Sequence, residues 1–590
     1  MKKIISLILS VSLLLGIFVL PAGAVQSEYV PDYDRETPVV IIHGMSQNDT
    51  YVLDENGNRQ MGEDGTYITG WPLELNIMGL VKEALIPLLL SAFLKRDMGL
   101  TDAMKRGAYE GLPYIHKDSE GNYDADIEVP CYEYPMGQMD KELLEYHYKL
   151  LPLQGLVDIV GGDNVYYFGY DSFGDVIGET EKLHRYIHDV VLPQTGADKI
   201  SACFISLGGT IAVNYLETYP EDHELFRKVE FVVPALDGSD IIGDILTGNL
   251  SVKYDDDVLY GDLLVTLLGD SYLSYLLNMV LRILPSWLLK DALSALAEGV
   301  VEAGVRSTTL IWALCPTDYY TEARAKWLET DEYALVREKT DYFMNARADF
   351  EENLFALKAT GCEVFDITCY GIGMFPLCRD WNKTNGDGIV HATSASMNAK
   401  FADIGTSFPE DYKAVGTYCS DPSHNHISPD RTVDATAGLL PCTTWYISGQ
   451  AHEKLPLNDV ALEMAFDIMT DRNMKNVYSN PEKYPQFNAG RLTKNVTDYI
   501  MAWDEANKSA VRRDKAEAVE NAKAEVEILL DETVVDTVKW AAAEEALRVS
   551  LVNAGVIEDT TPSAIENILT DITRKLNKGV NSLYEKMSCK

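Results

Sequence analysis

Basic residues are scarce in this 590-residue chain, where 50 lysines and arginines stand against 91 aspartates and glutamates and the formal net charge is −41. Nucleic acids and anionic lipid surfaces attract clusters of lysine and arginine, so this balance argues against a nucleic-acid partner and against electrostatic docking on anionic lipid. Binding to neutral lipid through apolar surface stays open. Hydrophobic residues make up 46% of the chain, which is enough for a large core and untypical of a disordered protein.

Cysteine is sparse too, with nine in the chain and no CxxC pair. Nine cysteines over this length do not form a disulfide scaffold, and the odd number leaves at least one thiol unpaired. Without a CxxC pair, neither a zinc ribbon nor a thioredoxin-type motif is indicated. Two pairs, Cys369 with Cys378 and Cys419 with Cys442, each flank a loop-like segment and are the first candidates for disulfides.

The N-terminus carries a long apolar run with the features of a leader. Lys2 and Lys3 precede an apolar stretch over 4–20, and Ala22-Gly23-Ala24 has the small-x-small form of a cleavage site. We therefore predict a bacterial-type signal peptide over residues 1–24 and a secreted or extracytoplasmic mature chain that starts near Val25. An uncleaved anchor is the alternative.

Short apolar runs rich in β-branched residues recur between helical patterns, which is typical of a mainly parallel sheet flanked by helices. The predicted strands span 38–42, 164–169, 199–205, 229–233, 362–368 and 443–447. The fold class is therefore α/β, with a mainly parallel central sheet, and residues 25–500 are assigned to this domain.

Two long insertions interrupt the alternation. The first, about 46–160, contains the turn signal Asp54-Glu55-Asn56-Gly57-Asn58 and predicts a hairpin. The second, about 240–306, is rich in Leu, Val and Ile. Arg282 and Pro285 break its longest apolar run, so a helical lid or cap is predicted there rather than a membrane span.

The last 90 residues, 501–590, differ in composition from the rest. They hold two of the 41 glycines and one of the 23 prolines, and apolar residues recur in them at three-four spacing. This pattern predicts an α-helical appendage of two or three helices.

A candidate nucleophile follows the third predicted strand. The strand 199–205 runs directly into Ser206-Leu207-Gly208-Gly209, and a helix begins there. A serine in a sharp strand-to-helix turn projects its hydroxyl, and the next N–H, that of Leu207, can donate to an oxyanion. Gly208 is small because the helix must pass close to the strand. Phe204 stands where such a turn usually has a small residue, and the plain alternative is a serine that caps a helix.

A second oxyanion donor is predicted after the first strand. His43-Gly44-Met45 stands there, so the Met45 N–H is expected beside the serine, with Gly44 shaping the loop.

Two later segments supply the partners of a nucleophilic serine. Asp387 lies in Asn385-Gly386-Asp387-Gly388-Ile389-Val390, and His452 follows the strand 443–447. The order Ser206, Asp387, His452 is the chain order of the α/β-hydrolase triad. In a triad His452 removes the serine proton, while Asp387 fixes the tautomer of the imidazole and stabilises the imidazolium.

The chain resembles the α/β-hydrolase lipases, and among them the lecithin–cholesterol acyltransferase-like branch. Besides the serine turn, three segments carry this resemblance: Phe168-Gly169-Tyr170-Asp171, Pro234-Ala235-Leu236-Asp237-Gly238-Ser239 and Gly386-Asp387-Gly388-Ile389-Val390. Phe204, Ile205 and His391 depart from the branch, which has glycine, histidine and proline there. The resemblance implies an α/β-hydrolase fold, a lid that begins at the Pro234 segment, and ester hydrolysis or acyl transfer on a lipid.

Other residues compete for these roles. His424 and His426 form His-x-His beside Cys419 and Asp421, which raises a metal site, but no set of three ligands at a defined spacing is evident and a polar loop is favoured. His426 is the reserve for the catalytic base, and Asp237, after the strand 229–233, is the reserve for the acid. The sequence indicates no cofactor and assigns no metal.

The leading interpretation is a secreted serine lipase or esterase that acts through an acyl-enzyme on a lipid or small ester, with lipid contact through the lid. The alternative is a surface or lipid-binding protein on a catalytically degenerate hydrolase fold, for which Phe204 is the main argument. Oligomeric state is not readable from the sequence.

Overall fold

The computed structural model describes residues 29–62, 65–72, 77–250, 272–375 and 378–489, together with positions 526, 546–551, 573, 575 and 576. The predicted signal peptide, the middle of the predicted lid and nearly all of the predicted C-terminal helical region lie outside the described residues. No helix in these ranges is long and apolar enough to cross a membrane.

The centre of the molecule is a seven-stranded sheet in which every neighbouring pair is parallel. In spatial order it contains β14 (Phe487–Ala489), β13 (Thr444–Ser448), β8 (Glu363–Tyr370), β7 (Phe226–Val232), β6 (Ile200–Ile205), β1 (Val39–Ile42) and β5 (Val165–Phe168). The other strands form small antiparallel sheets: β2 (Thr50–Val52), β3 (Thr69–Trp71), β4 (Ile127–Glu128), β9 (Ile372–Gly373), β10 (Asn385–Gly386), β11 (Lys400–Phe401) and β12 (Val433–Asp434).

Sixteen α-helices are described. They are α1 (Ile77–Leu94), α2 (Leu100–Glu110), α3 (Lys141–Leu150), α4 (Gln154–Val160), α5 (Val176–Arg185), α6 (Leu192–Thr195), α7 (Gly208–Thr218), α8 (Asp240–Thr247), α9 (Tyr272–Ile283), α10 (Ser286–Ala303), α11 (Thr309–Trp312), α12 (Thr317–Trp327), α13 (Ala334–Ala348), α14 (Phe350–Ala359), α15 (Ala392–Ala395) and α16 (Asp459–Thr470). One π-helical stretch, Tyr186–Val191, joins α5 to α6.

The inner strands are mainly apolar because both faces of the sheet are covered, although β7 carries Lys228 and Glu230. Along β1, Val40 and Ile42 belong to the core cluster that contains α5 and α7, whereas Val39 and Ile41 belong to the opposite cluster with α4 and α16. A strand buried on both faces has no polar side, which explains the continuous apolar runs in the sequence. The arrangement is the α/β-hydrolase fold, and it confirms the predicted fold class.

The topology fixes where a site can form. From β1 the chain moves to β5 at one edge, returns to β6 on the other side of β1, and then adds β7, β8, β13 and β14 in order. The direction of winding therefore reverses between β1 and β6. In parallel sheets the crevice at the carboxyl ends of the strands beside such a reversal is where ligands bind. Met45 follows β1 and Ser206 follows β6, so both lie at this point.

The two insertions build one helical cap. Helices α1 and α2 from the first insertion pack with α9 and α10 from the second around a shared apolar core that contains Leu88, Leu100, Leu284 and Leu288. The ammonium group of Lys95 donates to the carbonyl oxygen of Ile283, which lies at the end of α9. In the sequence the two insertions look like separate features. In the fold, the apolar face of each is buried by packing against the other.

Candidate active site

Ser206 occupies a strained turn between β6 and α7. Its φ is 51°, in the left-handed region that side-chain-bearing residues rarely adopt. Three backbone hydrogen bonds hold it: its N–H donates to the carbonyl oxygen of Val232 at 2.9 Å, and its own carbonyl accepts from the N–H groups of Gly209 at 2.9 Å and Ala235 at 3.0 Å. The strain is thus maintained by the neighbouring strand β7, and it places the hydroxyl at the carboxyl edge of the sheet.

Glycine is required at Gly208 by close approach. A Cβ built there would lie 2.7 Å from the carbonyl oxygen of Ile42 and 3.0 Å from that of His43. Helix α7 consequently begins almost against β1, and any larger residue would push the helix and the serine turn away from the loop after β1.

The structure brings the three predicted triad residues together. His452 Nε2 lies 2.8 Å from Ser206 Oγ, and His452 Nδ1 lies 2.7 Å from Asp387 Oδ2. Because both Asp387 oxygens act as acceptors, the His452 Nδ1 nitrogen carries the proton and the Nε2 lone pair faces the serine hydroxyl. The three groups therefore form a continuous hydrogen-bonded chain from carboxylate to hydroxyl.

Asp387 is held rigidly at the end of this chain. Its Oδ1 accepts hydrogen bonds from the backbone N–H groups of Ile389 at 3.0 Å and Val390 at 2.7 Å, while Oδ2 accepts from His452. Its carbonyl also accepts from the His452 N–H at 3.0 Å. Gly388, with a φ of 97°, makes the turn that permits this arrangement.

The electrostatics of His452 suit a base that becomes a cation during a reaction. Burial lowers the pKa of His452, but the charge and hydrogen bond of the Asp387 carboxylate outweigh that effect, so the pKa lies above its usual value. The imidazolium form is thereby stabilised where it would form, next to the serine.

The two residues predicted as oxyanion donors, Leu207 and Met45, both lie next to Ser206 in the fold. Leu207 stands at the start of α7, where the first N–H groups of a helix have no intrahelical partner. Met45 lies in the loop after β1, and a Cβ built at the preceding Gly44 would come within 3.0 Å of Ser206 Cβ. The loop is fixed by a 2.7 Å hydrogen bond from the Gly44 N–H to Gln47 Oε1, a contact that the sequence reasoning missed.

His43, the first residue after β1, helps to fix this loop. It is fully buried, its ring stacks on Tyr170 with centroids 4.0 Å apart, and the Tyr170 hydroxyl donates to the His43 carbonyl at 2.7 Å. Burial lowers the pKa of His43 to about 4, so the ring is neutral at physiological pH. The Phe168-Gly169-Tyr170-Asp171 segment, one of those that resemble the lecithin–cholesterol acyltransferase-like branch, thus holds the loop after β1 in place.

Phe204 does not obstruct the site. Its ring points into the core cluster on the α7 face of the sheet, 5.8 Å from the ring of Phe231. The neighbouring Cys203 and Ile205 point to the other face. The serine turn accommodates the large side chain because strand alternation directs it away from that face.

A cavity of about 580 Å³ opens beside the serine on that other face. Ser206, His452 and Met45 stand at one part of it, and its walls come from the sheet and from helices α4 and α16, with apolar lining residues that include Leu153, Leu156, Ile205, Ala465, Phe466 and Met469. No described residue of 240–306 lines it. The predicted lid therefore does not roof this cavity within the described part of the chain.

Two acidic side chains belong to the lining, the exposed Glu453 and a buried one within its apolar part. Glu230, on β7, is about 1% exposed, and its Oε1 has no hydrogen-bond partner among the described residues. Burial raises the pKa of Glu230 well above its usual range, which favours the neutral form of the group in the folded protein. The sequence of β7 gave no indication that Glu230 would be buried in the wall of the cavity.

The reserve residues lie elsewhere. Asp237 accepts hydrogen bonds from the backbone and side chain of Thr317, and His426 Nδ1 donates to Gln486 Oε1. Neither contacts Ser206.

Neither disulfide candidate is formed. Cys369 and Cys378 are buried free thiols, and the Sγ atoms of Cys419 and Cys442 are 3.5 Å apart, too far for an S–S bond. The sequence reasoning also missed that Cys442, sixteen residues after His426, reaches the loop that carries both histidines.

No family model matches this chain, and no curated protein matches it either. Among solved structures, it is similar to a phospholipase, PlaB from Legionella pneumophila, at 15% identity and a TM-score of 0.21 over 46% of each chain. It is also similar to a chain of the Tle4-Tli4 complex, at 13% identity and a TM-score of 0.30, over 73% of this chain and 97% of the other. The chain thus matches about half the length of the phospholipase, and the argument for function rests on the site itself.

The neutral state of Glu230 gives a testable pH dependence of stability. In the unfolded chain a glutamate ionises above its ordinary pKa of 4.5, so unfolding releases a proton at higher pH. The wild type should therefore lose up to about 1.4 kcal/mol of unfolding free energy per pH unit from this group. Glu230→Gln removes that loss, so urea denaturation between about pH 5 and 8 should show the variant gaining on the wild type as pH rises.

The matched control is the exposed Glu142→Gln, whose stability should follow the wild type at every pH. Parallel curves for Glu230→Gln and the wild type would show that Glu230 is ionised in the folded protein.

Proposed function

We propose that this protein is a serine carboxylic ester hydrolase of lipase type. The observation that carries the proposal is the hydrogen-bonded chain from Asp387 through His452 to Ser206, which opens onto an apolar cavity. A serine, an oriented base and a buried carboxylate are the groups that nucleophilic ester cleavage needs.

The roles follow from the geometry. An ester carbonyl seated at Ser206 is attacked by Oγ as His452 Nε2 takes the hydroxyl proton, and the resulting oxyanion receives the N–H groups of Met45 and Leu207. His452 then gives the proton to the leaving alcohol as the C–O bond breaks, which leaves an acyl-enzyme. A water molecule, deprotonated by His452, attacks that ester, and the acid leaves as Ser206 recovers its proton.

The substrate class follows from the cavity. Its walls are mainly aliphatic and aromatic, and it begins at the serine, so it is suited to the acyl chain of the ester rather than to a charged head group. We infer a lipid ester, in keeping with the resemblance to the lecithin–cholesterol acyltransferase-like branch. An acceptor alcohol in place of water would make the same acyl-enzyme a transferase intermediate.

The cap offers a surface for a lipid interface. Helix α1 exposes a row of large apolar side chains: Leu85, Ile86, Leu89, Leu90, Phe93 and Leu94. Ile283 at the end of α9 and Trp287 at the start of α10 are exposed as well. Phe93 is 83% exposed and Trp287 51%. An apolar patch of this kind on a soluble fold marks an interaction site, and the strongly negative net charge favours a neutral lipid surface. On the strength of the predicted leader at residues 1–24, we also propose that the protein acts outside the cytoplasm.

The nucleophile is tested by labelling with a fluorophosphonate probe. The wild type should be labelled on Ser206 and should cleave a short chromogenic ester, whereas Ser206→Ala should lose both properties. Removal of a triad nucleophile costs about 10⁴- to 10⁶-fold in turnover. His452→Ala should nearly abolish labelling, and Asp387→Asn should slow turnover by about 10⁴-fold because the imidazole adopts the wrong tautomer.

Thermal denaturation of each variant controls for folding, and Ser407→Ala, which removes an exposed serine hydroxyl, is the control that should keep both labelling and turnover. A folded wild type that resists the probe and cleaves no ester would favour the binding-protein alternative. Labelling at another serine would keep the enzyme class and remove Ser206 from it.

The acyl cavity is tested by filling it. Ala465→Phe, on the cavity side of α16, should reduce kcat/KM for long-chain esters at least about tenfold while leaving short-chain esters within about twofold, since only the long chain needs the filled space. Val460→Phe, on the same helix at an exposed position, is the matched control and should change neither. An equal loss on short and long esters would place the acyl chain elsewhere.

The cap surface is tested with phosphatidylcholine vesicles. The double variant Phe93→Glu and Trp287→Glu should lose most of its vesicle binding in a flotation assay and its activity on aggregated substrate, because both charges would have to enter the lipid. Hydrolysis of a soluble monomeric ester should be unchanged. Val30→Glu, which places a charge at an exposed apolar residue outside the helical cap, is the control. Unchanged flotation of the double variant would exclude this surface.

A further inference from the structure

We propose that Cys419, His424, His426 and Cys442 form a structural zinc site. Their potential ligand atoms all lie within 4.8 Å of one another. Cys442 Sγ lies 3.5 Å from Cys419 Sγ, 3.9 Å from His424 Nδ1 and 3.6 Å from His426 Nε2, and Cys419 Sγ lies 3.5 Å from His424 Nδ1.

These distances match the edges of a zinc tetrahedron. Zn–S bonds of about 2.3 Å and Zn–N bonds of about 2.0–2.1 Å at tetrahedral angles put two sulfurs about 3.8 Å apart and a sulfur and a nitrogen about 3.5 Å apart. A disulfide between the two cysteines would instead require about 2.05 Å between their sulfur atoms. Two thiolates and two imidazoles are a donor set that zinc prefers.

The protonation of His426 is arranged for metal binding. Gln486 donates both amide hydrogens to backbone carbonyls, those of Pro441 at 2.7 Å and Thr444 at 3.0 Å. Its Oε1 is therefore the atom that faces His426 Nδ1 at 2.8 Å, so Nδ1 carries the proton and donates. The Nε2 lone pair is left pointing at the cysteines, which is the outer support that zinc-bound histidines usually have.

His424 is oriented in the opposite sense by a carboxylate. Its Nδ1 faces both cysteine sulfurs, and its Nε2 lies 3.5 Å from Asp421 Oδ2. Asp421 is itself held by the N–H and hydroxyl of Ser423. A carboxylate behind a histidine fixes the ring and raises its basicity as a ligand.

The place of the cluster in the fold assigns it a structural role. Cys442 lies two residues before β13, the strand that leads to His452, whereas the other three ligands belong to the long excursion between β11 and β12. The metal would link the segment between β11 and β12 to the start of β13. All four coordination positions are filled by protein, so no position is open for a water or substrate, as in structural zinc sites.

A second group of metal-binding side chains does not compete. His184, His188 and Asp222 lie together, but the Asp222 oxygens already accept from both rings and from the Tyr215 hydroxyl. Those hydrogen bonds account for the grouping, and it contains no sulfur donor.

The test is the metal content of the full chain, purified under reducing conditions with zinc present and then dialysed. Elemental analysis should find one zinc per chain in the wild type, and Co²⁺ exchanged into the protein should give the intense visible bands of a tetrahedral site with thiolate-to-metal charge transfer. Cys419→Ser and His426→Gln should each lose that metal, and Gln486→Ala should weaken zinc binding about 10- to 100-fold in a competition titration with a chromophoric chelator.

Two substitutions serve as matched controls. Cys131→Ser removes an exposed thiol, and His188→Gln disrupts the second group, so both should retain one zinc. Cys442→His keeps a ligand at its position and should retain zinc even if the serine variant fails to fold. Metal release by a chelator should lower the melting temperature of the wild type, while the Cys419→Ser variant should no longer respond.

The proposal is overturned if the reduced wild type neither contains nor takes up zinc, if zinc is unchanged in Cys419→Ser, or if mass spectrometry of the protein as isolated finds a Cys419–Cys442 disulfide. None of these readouts depends on ester hydrolysis.

Discussion

The left-handed backbone of Ser206 is the constraint on which the site depends. A non-glycine residue held there costs of order 1–3 kcal/mol, so its neighbours must enforce it. Strand β7 does so by accepting from the Ser206 N–H at Val232, the segment just after β7 does so by donating from Ala235 to the Ser206 carbonyl, and β1 does so by passing within reach of Gly208. Ser206, the loop after β1 and the start of α7 are consequently positioned by the same three strands, β1, β6 and β7, beside the point where the winding of the sheet reverses.

The walls of the cavity are anchored to the sheet by a buried cation. The ammonium group of Lys228, on β7, donates to the carbonyl oxygens of Ile468 at 2.6 Å and Asp471 at 2.7 Å, both at the C-terminal end of α16. Burial lowers the pKa of Lys228 to about 8. A cation at a helix C-terminus is favoured by the partial negative charge there. Helix α16 follows His452 and lines the cavity, so this contact fixes the cavity wall relative to β7, which lies beside the strand that leads to Ser206.

Local patterns in the sequence were sufficient for the sheet and for the order of the triad. Apolar runs predict buried strands, and Ser206 stands directly after one, whereas Asp387 follows the two-residue strand β10 and His452 lies four residues beyond the end of β13. The cavity was out of reach because its walls come from α4 and α16, which are about 300 residues apart in the chain. Cys442 was overlooked for the same reason, since it was considered only as a disulfide partner of Cys419 and never together with His424 and His426.

The cap shows why a lid could not be delimited from one segment. Helix α10 contacts α2 so closely that a Cβ at Gly299 would lie 2.3 Å from the carbonyl oxygen of Lys105, and one at Gly304 would lie 2.0 Å from that of Ile115. Packing this tight joins the second insertion to the first along the length of α10. Any movement of α9 and α10 must therefore carry α1 and α2 with it, and the exposed apolar side chains of α1 would move as part of the same unit. Contact of α1 with a lipid surface would then act directly on the helices between the surface and the core.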